Sequence, residues 1–337
     1  MKRYLKFLFY RGLCPFLLFI GFDKFLRRVS GYKNLIIMYH GVSRDTNPPI
    51  NGRHLPVDQF EKQLVYFRKH FNVIPLTDLC DMALKGIRPE KHTIALTFDD
   101  GYLNNISNAL PLLKKYQIPA TFFISSVSLD EQDYVHPSDY LDLINFYIDE
   151  SVEVNGKLFR KDKYHLVASA NRKWNIYQYI NSLSLSLWEK TLSDLSRKYR
   201  YNDITAHVSD ETYKLITGST LSVLLSEDLI NIGSHGHWHV NLAMLSEDEI
   251  REQLTRSKAI FNKHGLKPVE TLAFPYGYFN DKVLSLCRDH GHKYLIAGGR
   301  VDKTNRGTVF PRIGILNLAG FAFNILSINR GFGRFGF

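Results

Sequence analysis

The chain has 337 residues, 45% of them hydrophobic, and its 43 Lys and Arg exceed its 33 Asp and Glu for a formal net charge of +10. That length and apolar content fit one large α/β domain with an insertion. Cys14, Cys80 and Cys287 are scattered and odd in number, which excludes a disulfide framework or a cysteine metal site and favours a reducing compartment, while the positive charge draws the chain to anionic partners such as acidic lipid, a phosphate-bearing substrate or nucleic acid.

The first 30 residues interleave Lys2, Arg3, Lys6, Arg11, Lys24, Arg27 and Arg28 with large apolar side chains such as Phe7, Phe9, Phe16, Phe19 and Phe22. This is the composition of a membrane-surface segment. Its longest uncharged run, residues 12–22, is shorter than the roughly 20 residues a spanning helix needs, and no small-x-small cleavage site follows Phe22. Residues 1–30 are therefore expected to form a basic, apolar anchor lying on the membrane, with a cleaved export signal or an ordinary first barrel helix as alternatives. Mixing of cations with large apolar residues ranks nucleic acid below lipid.

Leu35-Ile36-Ile37-Met38-Tyr39 reads as a first strand, followed at once by His40. Phe60, Leu64, Phe67 and Phe71 recur at helical spacing. Ile94-Ala95-Leu96-Thr97-Phe98 is a second strand opening into Asp99 and Asp100, and after Pro111 the run Pro119-Ala120-Thr121-Phe122-Phe123-Ile124 reads as another. Residues 128–224 break this alternation with polar, Tyr-rich sequence. A loop of that length needs structure of its own, so an inserted helical subdomain is expected to cap the active face and select substrate, with His136, Trp174 and Trp188 read as packing residues. Beyond it, Leu229-Ile230-Asn231-Ile232-Gly233 leads into His235-Gly236-His237-Trp238-His239. Ser246 and Glu249 form a capping box that opens a helix toward Lys263. Thr271-Leu272-Ala273-Phe274, Tyr294-Leu295-Ile296-Ala297 and Phe310-Pro311-Arg312-Ile313 complete the strands. Strands alternating with helices predict a parallel sheet with helical crossovers, built from residues 31–127 and 225–315. Residues 316–337 form an apolar tail that mixes Arg330 and Arg334 with Phe332, Phe335 and Phe337, a second contact for headgroups.

Adjacent carboxylates at the end of a buried strand repel each other, so the pair is costly unless a cation holds one while the other moves protons. His235 and His239, four residues apart at another strand end, supply the imidazoles the pair lacks. One Asp and two His give three protein ligands and leave room for water and substrate, the open shell of a catalytic metal site. Strand ends are also the functional rim of α/β folds. Gly236 excludes a zincin protease, which needs Glu directly after its first His. Trp238, between the two imidazoles, is the candidate sugar platform.

Met38-Tyr39-His40-Gly41-Val42, Thr97-Phe98-Asp99-Asp100-Gly101-Tyr102, His235 to His239 and Phe274-Pro275-Tyr276-Gly277 resemble, in order, the motifs of polysaccharide deacetylases with the NodB homology domain, carbohydrate esterase family 4. The resemblance covers residues 33–125 and 225–315. It implies a distorted (β/α)7 TIM-like barrel with Asp99 as general base. It implies that Asp100, His235 and His239 bind a divalent metal, zinc by default although the same ligands accept iron, cobalt or nickel. It also implies that the Tyr276 backbone N–H, beside Pro275, helps hold the oxyanion next to the substrate. Two departures matter. Ala273 stands where many members carry the Arg that orients the base, so that contact is missing or supplied from elsewhere; Arg312 is the candidate replacement, with a plain surface or phosphate-contacting arginine as its other reading. No His follows His292, so the C-terminal Leu-x-His that carries a general acid is missing. His237 should point away from the face shared by His235 and His239, and His292 precedes its strand. His40 is thus the candidate acid, and it resembles the position used as acid in members that open with this motif.

The expected activity is removal of an N-acyl group, most simply acetyl, from an amino sugar of a surface polysaccharide or its lipid-linked precursor, at the cytoplasmic face of a bacterial inner membrane or after export. Two alternatives share these residues: a carbohydrate O-deacetylase, and a catalytically silent protein that binds glycan or polyprenyl phosphate.

Overall fold

The computed structural model describes residues 6, 8–31, 33–44, 52–147, 151–161, 166–168, 174–200, 203, 205–206, 208–266, 269–299 and 308–330. Seven parallel strands form its centre: β1 (Asn34–Tyr39), β2 (Thr93–Phe98), β3 (Ala120–Ile124), β4 (Ile230–Ser234), β5 (Thr271–Ala273), β6 (Tyr294–Gly298) and β7 (Val309–Gly314). Around the ring the order is β1, β7, β6, β5, β4, β3, β2, and pairing of β1 with β2 over Asn34 to Tyr39 closes it. A strand covered by helices on one side and barrel interior on the other must be apolar on both faces, and every residue of β2 is indeed buried. The distorted (β/α)7 barrel inferred from the sequence is the architecture observed.

Inward residues Ile36, Ala95, Phe123, Ala273 and Ile296 join Leu76 and Leu79 of the helix Leu76–Leu84 in one buried cluster. Outside, Phe60, Leu64 and Phe67 of the helix Val57–His70 are fully buried. That helix stops one residue before Phe71, which is extended yet still buried. The capping box at Ser246 is present and opens the helix Glu247–Lys263.

The insertion carries the expected helices, among them Pro137–Tyr147 and Leu185–Lys198, and adds an antiparallel sheet of Ser151–Val154, Lys157–Lys161 and Leu166–Ala168. It is tied to the catalytic rim. The Ile216 N–H donates to the Gly101 carbonyl at 2.7 Å and Leu103 N–H to the Lys214 carbonyl at 2.8 Å, and Arg53 reaches Asp139 and Asp142 at 2.5 and 2.9 Å.

The described parts of both terminal segments dock on the barrel. The expected tail is, where described, the helix Gly320–Arg330, with Ile325 and Ile328 fully buried. Its apolar spacing puts those side chains into the core that contains Phe60 and Leu64. The anchor segment contains the helix Phe22–Ser30, in which Arg27 pairs with Asp23 at 2.8 Å and donates to Asn329 at 3.0 Å, while the Tyr66 hydroxyl donates to Asp23 at 2.5 Å. The cations Lys2 and Arg3, and the tail residues Phe332, Arg334, Phe335 and Phe337, lie outside the described residues. Among the described residues no helix is long and apolar enough to cross a membrane.

Candidate metal centre and active site

Parallel strands place all their carboxyl ends on one rim, so Asp99 and Asp100 after β2, His235 after β4, and Pro275 and Tyr276 just past β5 converge without any long-range device. The convergence is strained. Five described non-glycine residues have positive φ, and three of them are Asp100 (71°), His239 (54°) and Tyr276 (58°). Such conformations cost of order 1–3 kcal/mol each and persist where surrounding structure imposes them.

Asp100, His235 and His239 form a cradle. The Asp100 Oδ1 lies 3.4 Å from His235 Nε2 and 3.3 Å from His239 Nε2, and the two Nε2 atoms are 3.1 Å apart. The donor geometry fits a divalent ion, because bonds near 2.1 Å separate neighbouring ligand atoms by roughly 3.0–3.4 Å. His235 Nδ1–H donates to the Ala273 carbonyl at 2.8 Å, which leaves the Nε2 lone pair aimed inward, the usual outer-shell device for a ligating imidazole. Burial pushes His239 down to about 4, so this ring is neutral near pH 7, as a ligand must be. Burial raises the Asp100 carboxyl, but the imidazoles of His136, His235 and His239 outweigh it and hold the group well below the usual carboxylate range.

Beside the cradle, Asp99 is gripped by Arg312. Two guanidinium nitrogens meet its two oxygens at 2.6 Å each, and one also donates to Thr97 Oγ1 at 3.2 Å. Burial alone would raise the Asp99 carboxyl, yet the Arg312 charge and then His235 pull it below its ordinary value. Arg312 is itself only 3% exposed, so it orients the carboxylate and does not present its guanidinium to a substrate, a correction to its place among the substrate-binding candidates.

His40 follows β1 and feels both carboxylates. Burial lowers its pKa while Asp100 and Asp99 oppose the shift. Pro275 is buried, and the Tyr276 ring packs edge-on against His239 with centroids 4.6 Å apart. His237 turns away from the cradle and faces Ser126 Oγ at 3.0 Å. Trp238, expected as a sugar platform, is half-buried: its ring lies under the Arg256 guanidinium at 5.0 Å and beside His237 at 4.9 Å. The reason is backbone phase: with His235 and His239 turned inward, the residues between them face the helix Glu247–Lys263, which carries Arg256.

One residue is new to the site. His136, from the insertion, is 1% exposed, packs edge-on against His239 at 3.9 Å, and sets its Nε2 3.5 Å from Asp100 Oδ1. Donor atoms of Asp100, His136 and His239 all lie within 4.8 Å of one another. Yet His136 Nδ1 accepts from the Ser138 N–H at 3.3 Å, which puts the proton of the neutral ring on Nε2. His136 therefore suits a donor facing the ligand carboxylate better than a fourth ligand, and its Nε2 has no hydrogen-bond partner otherwise. The sequence signal was slight: a His before Pro137 at a helix start, a capping position.

The sequence signature of the polysaccharide deacetylase family matches residues 86–155 and 193–295, and the chain belongs to this family. Among individual relatives, the poly-beta-1,6-N-acetyl-D-glucosamine N-deacetylase of Staphylococcus aureus is 24% identical over 268 residues, 79% of this chain and 67% of that protein. YxkH of Bacillus subtilis is 28% identical over 101 residues, 30% of this chain and only 34% of its own length. Among solved structures, the Streptococcus pyogenes deacetylase PplD aligns with TM-score 0.56 and 16% identity over 88% of this chain and 97% of that one, and IcaB from Ammonifex degensii with TM-score 0.53 and 16% identity over 87% and 98%. At these identities the structures share the fold with this chain.

Proposed function

We propose that this protein is a metal-dependent deacetylase that hydrolyses the N-acetyl group of an amino sugar in a surface polysaccharide or its lipid-linked precursor. The observation that carries the reading is the cradle of Asp100, His235 and His239 set against an arginine-clamped carboxylate. Family membership and the amino-sugar substrate in the name of the Staphylococcus aureus relative support it. Asp100, His235 and His239 would hold a divalent cation, zinc by default, which would supply Lewis acidity and a water of lowered pKa. Asp99, kept ionised and oriented by Arg312, accepts the proton of the attacking water. The Tyr276 N–H donates to the oxygen that gains charge as the carbonyl becomes tetrahedral. His40, beside both carboxylates, hands a proton to the leaving nitrogen, which departs poorly without one.

The test is incubation with N-acetylglucosamine oligomers after removal and return of metal, scoring acetate and new primary amine together. Amine release that needs added metal is the expected result. Acetate released from an O-acetylated sugar, with no amine from the N-acetylated oligomers, would mean ester cleavage, and neither product on any of these substrates would favour a silent glycan binder. Asp99→Asn should lower turnover by about 100- to 10,000-fold while metal content per chain stays near that of wild type. His235→Ala should instead remove the metal. An Asp99→Asn protein that is metal-free would reverse the assignment of the two carboxylates.

A further inference from the structure

The N-terminal helices carry a surface the fold does not use. Phe9, Leu13, Phe16, Phe19, Ile20 and Phe25 are all exposed, Phe19 at 88% and Phe16 at 57%, whereas elsewhere along the described chain exposed large apolar side chains come singly or in pairs. Fraying does not explain this. Cys14, on the opposite face, is 1% exposed, Leu18 packs against the core that holds Phe60 and Leu64, and the Asp23, Arg27, Tyr66 and Asn329 network pins the next helix. One face is docked, and the other is bare.

We propose that this bare face is a docking surface for an anionic lipid bilayer, on which the protein lies with its catalytic rim near the headgroups. Charge selects the occupant. Lys6, Arg11, Lys24 and Arg28 are exposed on the same segment, and Asp23, the sole acidic residue of the first 30, is buried and paired. A second copy of the chain would bring two such cationic faces together, which like-charge juxtaposition disfavours, whereas acidic headgroups complement the cations while the rings enter the acyl boundary. The segment lies on the bilayer and does not span it, since no described helix is long and apolar enough to cross.

Position relative to the active site follows from topology. The helix Gly320–Arg330 begins shortly after β7 reaches the catalytic rim, and Phe323 in its first turn meets Tyr10 and Phe9 with ring centroids 4.9 and 6.1 Å apart. The apolar face therefore starts at the rim and runs down the barrel wall. A glycan tethered to lipid in the same bilayer would enter from that side.

Sedimentation of the full chain with vesicles tests the surface without substrate or metal, so its outcome is independent of the proposed hydrolysis. Wild type should pellet with phosphatidylcholine vesicles that contain phosphatidylglycerol, and less with pure phosphatidylcholine or at high salt. Phe16→Ser with Phe19→Ser should weaken binding about 10-fold or more, and Arg11→Glu with Lys24→Glu should abolish the preference for anionic vesicles. All four side chains are exposed, so circular dichroism and thermal midpoint should match wild type. Wild type left in the supernatant, variants that bind as wild type does, or a concentration-dependent dimer that the Phe variant loses would each overturn the proposal.

Discussion

At the scale of single residues, a bidentate pair such as Arg312 with Asp99 is geometric as well as electrostatic, so a lysine in its place keeps the charge and loses the fork. Arg312→Lys is expected to lower kcat by about 10- to 100-fold with metal content unchanged; stopped activity together with lost metal would mean that the pair supports the cradle instead. Ala273, by the family resemblance, left the base-orienting contact either missing or supplied from elsewhere, and the β7 register, which sets Ile36 opposite Arg312, is what brings an arginine to Asp99. His136 gave no such warning, because a histidine inside an insertion has no periodicity or motif to mark it. As the outer partner of Asp100 it should tighten metal binding, and His136→Ala is expected to weaken affinity by about 10- to 100-fold in equilibrium dialysis. Unchanged affinity would reduce it to a packing residue on His239. The positive φ angles at Asp100, His239 and Tyr276 were equally unreadable, since local preference argues against them and only the assembled rim imposes them.

Among elements, barrel strands were legible to within a residue or two because an apolar run bounded by turn residues has few other readings. The antiparallel sheet of the insertion was missed although its mark was present. Ser151-Val152-Glu153-Val154 alternates, and Asn155-Gly156 follows, with φ of 49° and 72° at the turn, the conformation that favours this dipeptide in a two-residue hairpin. The polar average of the surrounding insertion hid it. The termini differ from expectation for a related reason: amphipathic composition describes one face, and the other face of Phe22–Ser30 packs on Gly320–Arg330. Two truncations separate these faces. Removing residues 1–20 strips the packing of Cys14 and Leu18 and should lower the thermal midpoint only slightly, because Asp23, Arg27, Tyr66 and Asn329 survive. Removing residues 1–30 strips Asp23 and Arg27 from a buried network and should lower the midpoint by several degrees. Equal midpoints for the two proteins, measured by differential scanning calorimetry, would show that the network contributes little.

For the whole molecule, the barrel concentrates imidazoles where water does not reach, and that gives its stability a pH dependence. Burial pushes His54 down to about 3 and His292 down to about 4, against roughly 6.5 in an unfolded chain. His54 lies near the rim beside Tyr102, whereas His292 precedes β6 and so sits at the far end of the barrel; the effect belongs to the fold and not only to the cradle. Groups with depressed folded pKa values bind fewer protons folded than unfolded, so their contribution is fully present above about 6.5 and is lost as pH falls toward 4. Metal acts in the same direction. Its ligands must be an ionised Asp100 and neutral imidazoles, and an ion bound only to the folded chain stabilises it by about 2.7 kcal/mol at 100 times its Kd. In metal-free protein the thermal midpoint should therefore be level from pH 8 to 7 and fall steadily from pH 6.5 to 5. Added zinc should raise the midpoint at pH 7.5 and add little at pH 5. A metal-free profile that stays level down to pH 5 would mean that these imidazoles titrate normally and that the interior is wetter than its packing implies, whereas a zinc shift that survives at pH 5 would point to ligands other than Asp100, His235 and His239.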